Sequence, residues 1–253
     1  MISAYEEIPS IWRVWDYDPG LPGLTFTAEE ANSTVAMKKF ARPPEVSLEY
    51  TTDGSTWSDF IVSSAEVEGT TVTLANVGDK MAVRAKTTNS GFGTGNNHNY
   101  NYFVMTGKIA ASGSIMYLLK NDGDLDTISS YSCFNRMFRN CASLTQAPDL
   151  PATTLEQSSY DYMFENCSSL TQAPELPATS LTQFCYRRMF SGCTSLNEIK
   201  IGYTGNFSGD GVPSHAFANW VNGVSASGTF YYNGSDTARG AFGIPENWTI
   251  QTF

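Results

Sequence analysis

Apolar and polar positions alternate with a period of two through much of the first hundred residues. In VSLEYTTDGSTWSDF, Val46, Leu48 and Tyr50 lie on one side of Asp53-Gly54, and Trp57 and Phe60 return on the other. That is the pattern of a hairpin closed by a tight turn. SSAEVEG, TTVTLANVGDK, MAVRAKTTN and YNYFVMTG continue the series. Short strands with a turn signal every ~8–12 residues predict a β-sandwich-like domain over 25–106. AEEANSTVAMKKF alone hints at a helix, against its β-branched pair Thr34-Val35. The leader before it, 1–24, carries Tyr5, Trp12, Trp15 and Tyr17 and is broken by Pro9, Pro19 and Pro22. Its rings either pack back on the first domain or form a docking peptide for a partner.

The second half repeats. Met137-Phe138, Met163-Phe164 and Met189-Phe190 recur at steps of 26 (163 − 137 = 189 − 163 = 26), as do Cys141, Cys167 and Cys193, and Leu144, Leu170 and Leu196. Laying 137–162 on 163–188 gives 17 identities in 26 positions, with the shared core MF-x-N-C-x-S-L-T-Q-A-P-[DE]-L-P-A-T. A period of about 20–29 residues with spaced leucines indicates leucine-rich-type repeats stacked into a short solenoid. In each unit Leu144, Ala147 and Leu150, or Leu170, Ala173 and Leu176, point inward from an extended segment. Pro148 and Pro151 keep that segment from turning helical. A short helix is expected around CFNRMF, YDYMF and CYRRMF. Upstream, SIMYLLKNDGDLDTI reads as a degenerate first unit. Downstream, HAFANWVNGV reads as an amphipathic cap helix with Phe217, Trp220 and Val221 on one face, followed by closing strands in GTFYYN and NWTIQTF. The expected fold is thus a β-rich α+β chain: leader at 1–24, β domain at 25–106, repeats at 107–201 and a C-terminal cap at 202–253.

The repeat also explains the five cysteines, Cys133, Cys141, Cys167, Cys185 and Cys193. Helices of neighbouring units would place equivalent positions about 10 Å apart, beyond the roughly 7 Å between Cα atoms that a disulfide allows. All five therefore read as reduced, buried packing residues. No pair has metal-ligand spacing, so no metal and no cofactor are expected. NDGDLD (121–126) has some likeness to a calcium loop but lacks the terminal glutamate.

Charge removes several partners. The formal net charge is −10, with 15 Lys and Arg against 25 Asp and Glu, which disfavours nucleic acid. The basic pairs Lys38-Lys39 and Arg187-Arg188 read as solvated surface. No stretch approaches the ~18 apolar residues of a membrane span, so membrane insertion is not expected. The first residues lack the basic and apolar regions of a secretory signal. The histidines, His98 and His215, stand beside no nucleophile signature, so no catalytic residue is assigned. A carbohydrate-active enzyme using paired carboxylates is a weaker alternative.

The MF-x-x-C-x-S-L-T-x-A-P-x-L-P-A-T unit resembles the BspA-like leucine-rich repeats of gut Bacteroidales and of the phages and prophages that infect them. The ending FANWVNGVSASGTFYYN…GIPENWTI and the section GDK…YNYFVMTGKIAASGSIMYLL are similar to segments of the same proteins. The resemblance runs from Leu24 to Phe253. It implies a surface-exposed adhesion or recognition protein without catalytic residues. The chain departs from the family in lacking a secretion signal and in having few repeats; the missing signal favours a phage virion component, such as a head or tail fibre or a decoration protein, over a bacterial cell-surface adhesin. The implied partners are other virion proteins, bound through the leader, and a host-surface glycan or protein. A symmetric homo-oligomer, often a trimer in fibres, is expected. The expected ligand face is the exposed side of the strand segments, carrying Gln146, Asp149, Gln172, Glu175, Glu198 and Lys200. Those same residues could equally be solubilising positions.

Overall fold

The computed structural model describes residues 21–94, 99–209 and 211–253. The leader residues Tyr5, Trp12, Trp15 and Tyr17 therefore lie outside the described residues, as does His98.

Alternating burial builds the N-terminal sheets. β1 (Leu24–Ala28), β3 (Leu48–Thr51), β4 (Ser58–Asp59), β6 (Lys80–Ala85), β8 (Ile109–Ser112) and β9 (Leu144–Gln146) form one six-stranded sheet in the order β4-β3-β6-β1-β8-β9. A second sheet, in the order β5-β2-β7, contains β2 (Ser33–Phe40), β5 (Thr71–Leu74) and β7 (Tyr100–Thr106). β2 is the segment that hinted at a helix. It is a strand because Ser33, Val35 and Met37 alternate inward while Thr34 and Ala36 alternate outward, and its β-branched residues suit the pleat. The two sheets meet at Phe26 and Phe103, whose ring centroids lie 5.0 Å apart, edge to face. The expected tight turn at Asp53-Gly54 is a longer loop. Asp53 closes it by accepting from the backbone N–H groups of Ser55 and Thr56 at 2.8 and 2.7 Å. Trp57 lies beneath the Arg84 guanidinium, 3.6 Å from its ring centroid.

The described residues contain no α-helix; the one helical turn is the 3-10 segment Ile115–Leu118. The segments expected to be helical are ribbons of consecutive turns. In the first, the N–H groups of Asn135, Met137, Arg139 and Cys141 donate three residues back, to Ser132, Phe134, Arg136 and Phe138. The N–H groups between them, of Phe134, Arg136, Phe138 and Asn140, donate sideways to carbonyls of the next unit, at Ser159, Asp161, Met163 and Glu165. The second ribbon repeats this from Ser158 to Cys167 and the third from Phe184 to Cys193. HAFANWVNGV, expected as a cap helix, is a fourth ribbon that accepts bonds from the third. Every fourth residue is left-handed: Ser132, Arg136 and Asn140, then Ser158, Tyr162 and Asn166, then Phe184, Arg188 and Gly192. A helix cannot contain such residues, which is why none forms.

The expected leucine-rich-repeat solenoid of α+β type is corrected on the strand side as well. No sheet runs along the units. β9 belongs to the first sheet, while β10 (Glu198–Lys200) heads a separate parallel sheet with β11 (Thr229–Tyr231) and β12 (Thr249–Gln251). Between them lie only the isolated bridges Gln172↔Glu198 and Leu176↔Ile201. Among the described residues, 144–150 and 170–176 share no bridge. The prolines flanking these segments remove ladder donors, so the units adhere through the ribbons instead.

That adhesion sets the core. Sideways hydrogen bonds bring equivalent rings within 6 Å or so, far closer than the spacing of packed helices. One column runs Phe103, Phe138, Phe164, Phe190 and Trp220, with successive centroids 5.1, 5.4, 5.8 and 6.3 Å apart. A second runs Phe92, Phe134, Tyr160, Tyr186 and Phe217 at 6.0, 6.1, 6.1 and 5.9 Å. The first column starts on β7, the second at Phe92 in the loop bonded to β7, and both end in the fourth ribbon, so one hydrophobic core spans the described chain. The first sheet likewise crosses the expected boundary at 106, through the antiparallel pair β1–β8.

All five cysteines are free and buried. The thiols of Cys141, Cys167 and Cys193 donate to the carbonyls of Phe103, Phe138 and Phe164 at 3.3, 3.0 and 3.0 Å.

Phe164 is fully buried between two parallel rings. Phe164→Ala is expected to lower stability by about 3–5 kcal/mol, read from the urea midpoint at constant slope. A loss below about 1 kcal/mol would show that the columns are not the core.

Candidate functional site

The strand-side face brings most of its predicted residues together, but in pairs that satisfy one another. Gln146, Gln172 and Glu198 occupy one repeat position (146 + 26 = 172; 172 + 26 = 198). Gln146 ends β9 and is exposed. Gln172 donates its side-chain amide to the Glu198 carboxylate. Lys200 donates to Glu175 Oε1 at 2.7 Å and sits 4.6 Å from the Phe253 ring centroid. Asp149 has its backbone tied to the segment before the 3-10 turn: its N–H donates to Gly113 and its carbonyl accepts from Ile115, both at 3.0 Å. Its side chain is half-buried beside Glu175. Burial first, and the Glu175 charge second, push its carboxyl up to about 6.

The ribbon side carries a second polar assembly that the sequence reading scattered. Arg187 forks onto the fully buried Asp161, with Nε–Oδ1 at 2.9 Å and Nη2–Oδ2 at 2.5 Å. Burial raises the Asp161 carboxyl and the guanidinium offsets part of that. Asn135 also donates to Asp161, at 3.2 Å. Glu165 is gripped from two units, by Arg139 at 2.5 Å and by Arg188 at 3.4 Å. The ring of Tyr162 lies among these groups, 4.3 Å from the Arg136 guanidinium and 5.4 Å from that of Arg188. The basic pair Arg187-Arg188 is thus a part of the inter-unit ion pairing and not merely solvated surface. Arg136, Tyr162 and Arg188 share one repeat position, so the 26-residue step was the signal that could have grouped them.

Nucleophilic chemistry finds little support in these groups. Burial pushes the thiols of Cys133, Cys141, Cys185 and Cys193 up to about 12, and that of Cys167 also upward, whereas the thiolate is the reactive form. His215 Nδ1 is 2.6 Å from the adjacent Ser214 Oγ on the exposed start of the fourth ribbon. Among the described residues, no three His, Cys, Asp or Glu side chains converge as metal ligands. No helix among them is long and apolar enough to cross a membrane. A groove of about 390 Å³ lies in the β domain, bordered by Val46, Phe60, Ile61 and Val67.

No family model matches the chain, and no curated protein or solved structure gives a match.

Asp149 generates a pH prediction. A carboxyl raised from about 3.8 to about 6 binds more protons folded than unfolded across that window, so its contribution to stability falls as pH rises from about 4 to 6. Asp149→Asn should therefore match the wild type near pH 4 and exceed its stability by about 1–2 kcal/mol at pH 7. Urea unfolding at the two pH values measures this; equal stabilities at pH 7 would contradict it.

Proposed function

We propose that this protein is a non-enzymatic virion component, a fibre or decoration protein, that attaches to a host-surface glycan or protein. The observation that carries the reading is the continuity of the stack. Two aromatic columns run from Phe103 and Phe92 to the fourth ribbon, and the outward residues of each unit stand in rows over them. Such a scaffold holds its surface groups rigidly, and rigid display lowers the entropy lost on binding. The outward positions can also vary without disturbing the rings, which suits a recognition surface. Placement in a virion rests on the resemblance of the 26-residue unit and of the terminal segments to BspA-like proteins of phages. In that setting the leader, with Tyr5, Trp12, Trp15 and Tyr17, is the attachment point to other virion proteins. The molecule works as a symmetric homo-oligomer.

The test is location together with binding. The full chain is expected in density-purified phage particles, with loss of incorporation when residues 1–22 are deleted. Labelled full-length protein should bind intact host cells saturably and release no sugar from their glycans. Presence on uninfected cell envelopes with absence from particles would overturn the reading in favour of a bacterial adhesin. Glycan turnover would overturn its non-enzymatic part.

A further inference from the structure

We infer that the ribbon face from Phe40 to Arg188 is a binding platform for a carboxylated glycan, a polymer of uronic-acid type. This deepens the attachment reading above and rests on it. The platform is a row of flat groups in which Tyr100 is buried, Arg136 and Tyr162 are half-buried, and Phe40, Arg139 and Arg188 reach the surface. Phe40, at the end of β2, is 47% exposed and stacks on Tyr100, with centroids 5.1 Å apart and planes 17° from parallel. The Arg136 guanidinium lies 5.2 Å from the Tyr100 centroid and 4.3 Å from that of Tyr162. Arg188 and Arg139 follow at 5.4 and 5.8 Å from Tyr162.

Two observations point to a ligand. The first is charge. Arg136, Arg139, Arg187 and Arg188 stand against Asp161 and Glu165, so the local charge is 4 − 2 = +2 on a chain of net −10. The second is access. The side chains of Arg139 and Arg188 are 34% and 40% exposed. The contact of Arg188 with Glu165, at 3.4 Å, is longer than that of Arg139 with the same carboxylate, at 2.5 Å. A guanidinium has five donors, so each can hold its internal partner and still present N–H groups outward.

Tyr162 and Arg188 have φ of 58° and 52°, as the ribbon requires at every fourth residue. Asparagine tolerates this conformation, and Asn219 fills the same place in the fourth ribbon.

The chemistry then selects the ligand. Tyrosine and guanidinium planes accept the C–H face of a sugar ring, and the guanidinium edges donate to a carboxylate. A local charge of +2 suits one carboxylate per sugar. A polyuronate and single-stranded DNA each carry one negative charge per monomer, so retention of the first and not the second reflects the sugar carboxylate and not charge alone.

The experiment is affinity electrophoresis of the full chain through gels containing polygalacturonate, dextran or single-stranded DNA. Polygalacturonate should retard the wild type, and added salt should weaken the effect; dextran and DNA should not retard it. Arg188→Asn and Tyr162→Asn, which suit the left-handed backbone, should each lose roughly tenfold or more in affinity while keeping the wild-type circular dichroism spectrum and a single cooperative urea transition. No retardation by polygalacturonate, equal retardation by DNA, or full retardation of both folded variants would overturn the inference. Protein that enters particles and binds host cells but ignores polygalacturonate would sink the platform and leave the attachment reading standing. Retardation without any particle association would do the reverse.

Discussion

The structure depends on an alternation of backbone hydrogen bonds. In each of the first three ribbons one N–H closes a turn within its own unit, and the next reaches sideways to the neighbouring unit. Buried backbone donors must be satisfied, and this division satisfies those of 134–141, 158–167 and 184–193 without a helix or a continuous sheet. Its consequence is register. Donors sit 25 residues before their acceptors at the first two interfaces (159 − 134 = 185 − 160 = 25). At the third the offset is 30 (214 − 184), because the connection through 202–212 is longer. Fixed register places ring on ring, cysteine under phenylalanine and charge beside charge. Slippage by one residue would exchange the inward and outward sets and break every column.

The same constraint separates core from surface. Inward positions carry Phe, Tyr, Met and Cys and are buried throughout. Left-handed positions carry Ser, Arg, Tyr, Phe, Asn and Gly; Ser132 and Ser158 among them are buried, and the others are partly or fully exposed. Charges that do enter are paired between units, as Arg187 is with Asp161 and Arg139 with Glu165. A buried charge without such a partner costs several kcal/mol, so these pairs tie the ionic network to the stacking register. The strand-side face is looser. Its bridges are interrupted, and Gln172, Glu198, Glu175 and Lys200 satisfy one another at the surface.

Much of this was legible in the sequence, and the misreadings have definite causes. The 26-residue step is plain in the Met-Phe, Cys and Leu positions, and the hairpin alternation located most of the N-terminal strands. The ribbons were read as helices because Phe134 and Phe138, or Tyr160 and Phe164, recur four residues apart, as on a helix face. A turn ribbon whose conformation repeats every four residues produces the same spacing. The discriminating signal is Asn140, Asn166, Gly192 and Gly223 at the end of each ribbon, residue types that favour left-handed backbone. β2 was misread because Ala, Met and Lys are good helix formers, whereas pairing to β5 and β7 decides the matter. The arginine–tyrosine platform was hidden because its members lie 26 residues apart, and only a stacking distance near 5–6 Å makes them neighbours.

The most direct test of the stacked turn ribbon is a proton NMR contact map of the isotopically labelled full chain. Contacts are expected between the Phe138 amide and the Met163 region, and between the Phe164 amide and the Met189 region, as the sideways hydrogen bonds require. The neighbouring Met137 and Met163 amides should instead show only local turn contacts. A continuous run of helical contacts through 133–141 and 159–167, without contacts between units, would contradict it.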